Sequence, residues 1–192
     1  MTNIILYGVS GSGKSTLVNI LGNEDEISIH RKDSRRELKP KENPDSNDLR
    51  LIGEAEFKRN ASNGLYTVTY GKYGSSYGVV ESQVKDAELK DESHLIIIRD
   101  IEAIKRFRER FPNSQSVYVH TDPDHISKRL IEREGIQLEE RLRRIEEEYQ
   151  EFVDNNTSFD YVVLNFDDIS NAHRQLKNII DIPPQFFSIF LL

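Results

Sequence analysis

Short apolar runs alternate along the chain with amphipathic stretches, so the hydrophobic period switches repeatedly between strand-like and helix-like. Asn3 to Tyr7 holds a compact Ile-Ile-Leu run that stops at Gly8, the mark of a short buried strand. Lys14 to Leu21 places Leu17, Val18 and Leu21 on one helical face, and Ile27 to Ile29 predicts a second strand. The pattern then breaks. Residues 31–47 are charged, nearly free of apolar side chains and interrupted by Pro40 and Pro44, which predicts a loop that is mobile or orders on a ligand. Glu54 to Ala61 predicts a short helix, and Leu65 to Tyr70 alternates as a strand, with Gly71, Gly74 and Gly78 punctuating a hairpin-like region.

The alternation resumes with strands at Leu95 to Ile98, Ser116 to Val119 and Tyr161 to Leu164. Helices are expected over Ile101 to Phe111, Pro123 to Arg133, Leu138 to Phe152 and Ala172 to Ile180. The third of these helices is strongly amphipathic, with Leu138, Leu142, Ile145, Tyr149 and Phe152 stepping by four and three. Strands alternating with helices imply an α/β fold: a parallel sheet covered by helices on both faces. The reading is one domain over residues 1–182. Its core is 1–30 and 93–182, its strand-rich insert 31–90, and a helical lid spans 129–145.

Composition narrows the function. The chain has 192 residues, no cysteine and no tryptophan. It therefore has no disulfide scaffold, thiolate nucleophile or thiolate metal site, which fits a reducing cytoplasm. Its 33 acidic against 26 basic side chains give a formal charge of −7, which argues against a general nucleic-acid binder. No apolar segment approaches the ~20 residues of a bilayer span, and no secretion signal precedes Gly8, so no membrane partner is expected. The histidines His30, His94, His120, His125 and His173 show no metal-ligand spacing and read as surface or packing residues. The C-terminal run Phe186 to Leu192 is unusually apolar; it could pack on its own domain, form a homodimer seam or bind a partner.

The sharpest chemical signal is Gly8-Val9-Ser10-Gly11-Ser12-Gly13-Lys14-Ser15, a full G-x-x-x-x-G-K-[ST] match between an apolar strand and an amphipathic helix. Glycines let backbone N–H groups curl around a phosphate, and the helix N-terminus adds a favourable dipole. Lys14 would reach the β- and γ-phosphates, and the Ser15 hydroxyl would ligate Mg2+. The guanine-reading Asn-Lys-x-Asp of GTPases is absent. Asp100, at the carboxyl end of the strand Leu95 to Ile98, falls on the same rim, where it could hold Mg2+ through water or orient an acceptor, and could at the same time cap the helix that starts at Ile101. Arg129 and Arg133 share one helical face, and Arg141 and Arg144 another, across a turn near Gly135. Such a set suits a lid over a triphosphate. The alternative is pairing with Glu132, Glu134, Glu139, Glu140 and Glu146 to Glu148 on solvated faces. Arg31, Lys32, Arg35, Arg36, Lys39 and Lys41 make a basic loop near that rim, suited to an anionic acceptor or simply solvated.

Across residues 1 to 180 these pieces resemble the guanylate-kinase-like branch of P-loop small-molecule kinases. The order is alike: phosphate loop, basic acceptor loop, strand-rich insert ending in Tyr77-Gly78, Asp100 after a strand, Lys128-Arg129-Leu130-x-x-Arg133, Arg141-Leu142, and Asn165 before Asp167. The resemblance implies a P-loop NTPase-type sheet with an acceptor-binding insert and a helical lid. It also implies ATP with Mg2+ as donor and a small phosphorylated acceptor. Gly8, Ser10, Gly11, Ser12, Gly13, Lys14, Ser15, Thr16, Arg129 and Asn165 would hold the nucleotide, with Asn165 near the adenine. Lys14, Asp100, Arg133 and Arg141 would act at the reacting phosphates, Ser15 and Asp100 at the metal. Arg31, Arg35, Arg36, Tyr70 and Tyr77 would bind the acceptor. The acceptor pocket departs from guanylate kinase proper. Thr67 stands where the family has a guanine-reading glutamate, Val79 replaces a guanine-contacting serine, and Leu49 a phosphate-binding tyrosine. His30-Arg31, Arg35 and Tyr77-Gly78-Val79 look somewhat closer to ribose 1,5-bisphosphate phosphokinases. A non-catalytic binding module of the same fold is the remaining alternative, and the intact phosphate loop argues against it.

Overall fold

The computed structural model describes residues 2–24, 27–36, 46–134, 138–155, 159–166 and 168–182. Its centre is a five-stranded parallel sheet in the order β2-β7-β1-β8-β9, built from β1 (Asn3–Tyr7), β2 (Ile27–Ile29), β7 (Ser93–Ile97), β8 (Ser114–His120) and β9 (Tyr161–Leu164). The helices are α1 (Lys14–Leu21), α4 (Ile101–Arg110), α5 (Pro123–Glu134), α6 (Leu138–Asp154) and α7 (Ile169–Ile180). All five residues of β1 are buried, because helices cover both faces of the sheet.

Side chains alternate across that strand. Ile4 and Leu6 join Leu17, Val18 and Leu21 of α1 and Leu176, Ile179 and Ile180 of α7. Ile5 and Tyr7 face the other way, into a cluster with Ile104 and Phe107 of α4. Complete burial of a leucine such as Leu17 or Leu21 contributes about 1.5–3 kcal/mol. Neighbours of β1 on both sides come from later in the chain, so the switch point of the sheet lies at its carboxyl end, where α/β proteins bind ligands.

The insert forms its own sheet, β4-β3-β6-β5, from β3 (Lys32–Arg35), β4 (Leu49–Leu51), β5 (Tyr66–Lys72) and β6 (Ser75–Val80), with α2 (Glu54–Ser62) and α3 (Glu81–Lys90) attached. Val68, Tyr70, Tyr77 and Val79 belong to the same core cluster as Ile5 and Ile96, so the insert is welded to the central sheet. Residues 31–47 are therefore not simply a loop: β3 runs through them, with residues 37–45 outside the described part. The strand hides in the sequence because its buried residues are polar. Lys32, Asp33 and Ser34 are 3%, 0% and 0% exposed. Lys32 is satisfied by Asp48 at 3.4 Å. Helix α3 is a second departure; only Val84 and Ala87 of its ten residues are buried, too sparse a stripe to read. The apolar run 186–192 lies outside the described residues. Among the described residues, no helix is long and apolar enough to cross a membrane.

Candidate phosphate-binding site

The phosphate loop connects β1 to α1 at the switch point. Gly8, Gly11 and Gly13 all have a positive φ that favours glycine, and at two of them a side chain would also clash. Gly13, the N-cap of α1, has φ +93°, and a Cβ there would meet the Asn165 amide nitrogen at 2.2 Å. A Cβ on Gly8 would lie 2.5 Å from the carbonyl oxygen of Val119. Ser15 and Thr16 are exposed on the first turn of α1, with the helix dipole behind them.

Lys14 is 7% exposed and turned into the loop. Its ammonium donates to Gly8 O at 2.7 Å, Val9 O at 2.8 Å and Ser12 Oγ at 3.1 Å. Burial, and after it the positive charge of Arg99, push Lys14 down to about 7. An incoming phosphate would favour its charged form.

Asn165 follows β9 and donates its amide to Ser12 O at 2.7 Å, while its buried Oδ1 makes no hydrogen bond. Arg129 on α5 donates to Gly11 O at 3.4 Å and Phe166 O at 2.5 Å, fastening the loop to the end of β9. Asp100 follows β7 and caps α4, accepting from Ala103 N at 2.7 Å. The cap is thus real, and one carboxylate oxygen is committed to it. Arg133 and Arg141 stand on α5 and α6, either side of 135–137; their side chains lie outside the described part.

Two functional candidates, Glu148 and Arg99, were not legible. Glu148 on α6 is 2% exposed. Its Oε2 accepts the Ser10 N–H of the phosphate loop at 2.7 Å, and its Oε1 pairs with the Arg99 guanidinium. The solvated face expected for Glu146 to Glu148 therefore ends at Glu147. The helical spacing carried the signal, since Glu148 shares the apolar stripe with Ile145 and Phe152.

The acceptor candidates divide. Tyr70 and Tyr77 stack at 5.0 Å in the core, and burial pushes the Tyr70 phenol up, above the range of an ordinary tyrosine. Arg35 is ion-paired with Glu54 at 3.2 Å, and Arg36 is half-buried at the end of β3. Arg31 is exposed and lines a cleft of about 390 Å3 together with Asp33, Arg50, Leu65, Val80, Ser82 and Gln83; Arg35, Arg36, Tyr70 and Tyr77 do not line it. Val79 and Leu49 are core residues, 0% and 7% exposed, and Thr67 is half-buried. Asp33 receives Arg50 at 2.7 and 2.8 Å, the Tyr66 hydroxyl at 2.7 Å and Asn60 at 3.4 Å.

The family model described as guanylate kinase matches residues 1–182. The guanylate kinase of Bdellovibrio bacteriovorus is 25% identical over 183 residues, covering 93% of this chain and 95% of its own. A ribose 1,5-bisphosphate phosphokinase of Achromobacter xylosoxidans is 30% identical over 155 residues, covering 78% of this chain and 76% of its own. The crystal structure of guanylate kinase from Anaplasma phagocytophilum superposes with a TM-score of 0.72 at 22% identity, covering 93% of this chain and 84% of that one, which supports the fold. With a family model spanning residues 1–182, and a glycine-rich G-x-x-x-x-G-K-S loop between β1 and α1, the chain belongs to the guanylate kinase family and is a P-loop phosphate kinase.

Proposed function

We propose that the protein moves the γ-phosphoryl group of ATP, as its Mg2+ complex, onto the phosphate of a small phosphorylated acceptor such as a nucleoside monophosphate. The observation that carries this reading is the intact phosphate loop, with its glycine cradle, Lys14 at its base and Ser15 exposed on the first turn of α1. The residues fit a nucleoside triphosphate: the loop amides and the Lys14 cation suit its phosphates, and the Asn165 Oδ1, a buried acceptor with no hydrogen bond, suits an amino donor on the base.

Lys14 and the loop amides would hold the donor phosphates, Arg129 and Asn165 the nucleoside end, and Arg133 with Arg141 the reacting groups. Mg2+ would supply charge neutralisation at the donor phosphates, and Ser15, with Asp100 through its uncommitted oxygen, would hold it. In the transfer, an acceptor phosphate oxygen forms a bond to the γ-phosphorus as the bond to the β,γ-bridging oxygen breaks, leaving ADP and a diphosphate product. The acceptor is already an anionic nucleophile, so no strong general base is needed; positioning and neutralisation lower the barrier.

A sugar-phosphate acceptor is the second reading. It is favoured by Val79 lying sealed in the core and by a threonine at position 67, which leave no carboxylate at the place where the family resemblance puts the guanine reader. The Asp33 carboxylate does not replace it, since it is already engaged by three side chains. Lys14→Ala abolishes phosphoryl transfer on this account, and unchanged turnover would remove it. Screening GMP, dGMP, other monophosphates and ribose 1,5-bisphosphate with ATP and Mg2+ decides the acceptor.

A further inference from the structure

The space between the phosphate loop and the insert holds a compact set of charges. Lys14 is buried at the base of the loop. Arg99, the second residue after β7, has a side chain only 17% exposed. Its Nε is buried and makes no hydrogen bond, while its terminal nitrogen pairs with Glu148. Its charge is felt by Lys14, by Lys32 of β3, and by Tyr70 of β5. Arg99 therefore stands where the donor loop and the insert meet.

Glu148 sits deeper still, against the Ser10 amide, and the phosphate loop works by turning such amides toward phosphoryl oxygens. Burial works against its charge, but Arg99, Lys14 and the Ser10 amide outweigh burial and hold the carboxylate below the usual glutamate range. A carboxylate ion-paired with a guanidinium while accepting from a loop amide makes the contacts a phosphoryl oxygen would make.

We infer that Arg99 is a phosphate-binding residue of the proposed transfer and that Glu148 is its internal stand-in, displaced from Arg99 and Ser10 when a substrate phosphate arrives. This inference rests on the phosphotransferase reading above. While the site is free of nucleotide, Glu148 keeps a buried guanidinium paired and the loop in its binding shape. On binding, the phosphate takes over both contacts and Glu148 leaves with α6. Glu148 thus competes with nucleotide for one site and lowers affinity by its own stability there.

Calorimetry with ADP, and separately with inorganic tripolyphosphate, tests this in the full chain. Glu148→Gln removes the competing charge and keeps the shape, so both probes bind roughly tenfold more tightly. Arg99→Met weakens tripolyphosphate binding and lowers kcat roughly a hundredfold, and Arg99→Lys recovers part of that loss. A folded Glu148→Gln protein that binds ADP no more tightly than wild type overturns the inference while leaving the phosphotransferase reading intact. Wild-type protein that takes up neither probe overturns both. A measurement on unmutated protein guards against a folding failure. With 13C-labelled glutamate, the Glu148 carboxyl resonance shifts when ADP saturates the site, and an unmoved resonance refutes the displacement.

Discussion

Replacing Gly13 by alanine is expected to destabilise the fold by about 2–4 kcal/mol, and the size of the loss follows from two contacts. The residue caps α1 at φ +93°, where a side chain clashes with its own backbone at about 1–2 kcal/mol. The new methyl would also overlap the Asn165 amide nitrogen, which lies 2.2 Å from the ideal Cβ position, and drive it off Ser12 O. Both groups are buried, so separating them costs a further ~1–3 kcal/mol. Alanine restricts the unfolded chain, which returns about 0.5 kcal/mol. The assay is urea unfolding of four proteins: wild type, Gly13→Ala, Asn165→Ala and the double variant. Asn165→Ala removes the obstacle, so in that background Gly13→Ala retains only the backbone strain. The double variant is then more stable than the two single losses predict, by roughly 1–3 kcal/mol. Strictly additive losses would refute the contact, and with it the claim that Asn165 props the phosphate loop from the far edge of the sheet.

Two further outcomes follow from buried polar groups. Asp33→Ala leaves Arg50, Tyr66 and Asn60 without their shared acceptor; because Arg50 is nearly half exposed and can turn to water, the loss is roughly 2–4 kcal/mol rather than the full cost of a severed buried pair, read as a lower urea midpoint. His30 and His94 lie 3.3 Å apart, with His30 Nε2 accepting from Val80 N, and burial pushes His30 well below the ordinary histidine range and His94 down to about 4. The unfolded chain then binds protons that the folded one refuses, so this contribution is complete above pH 6.5 and lost as pH falls toward 4. His94→Gln should flatten the urea-stability profile in that window, and an unchanged slope would refute the assignment.

What could be read from the chain differs by the range of the interaction. The phosphate loop is eight consecutive residues whose strand and helix flank it, so local pattern suffices. The parallel sheet follows from alternation of short apolar runs with amphipathic stretches, and all five core strands lie where those runs fall. The insert was legible as strand-rich, but β3 was not, because hydrophobic patterning cannot report a strand whose buried side chains are Lys32, Asp33 and Ser34. Two of them are buried among partners supplied from elsewhere: Asp48 for Lys32; Arg50, Asn60 and Tyr66 for Asp33. The same holds for Glu148, whose loop partner Ser10 is 138 residues away. A glutamate beside other glutamates reads as solvated until the apolar stripe around it is followed turn by turn.

That stripe also explains how the two halves of the site can answer to each other. On α6, Arg144, Glu148 and Glu151 are spaced by four and three and share one side of the helix. Glu148 holds the phosphate loop through Ser10 and the end of β7 through Arg99. Glu151 is paired with Lys72 at the end of β5 at 2.6 Å, and the carbonyl of Arg144 accepts the Tyr73 hydroxyl at 3.1 Å, with the Arg144 guanidinium over the Tyr73 ring. One helical turn is ~5.4 Å, too short to bend between contacts so closely spaced. A phosphate that dislodges Glu148 must therefore strain or release the contacts to the β5–β6 hairpin as well. On the displacement inferred above, phosphate binding at the loop and the posture of the insert would be joined through α6, whose N-terminal end carries Arg141.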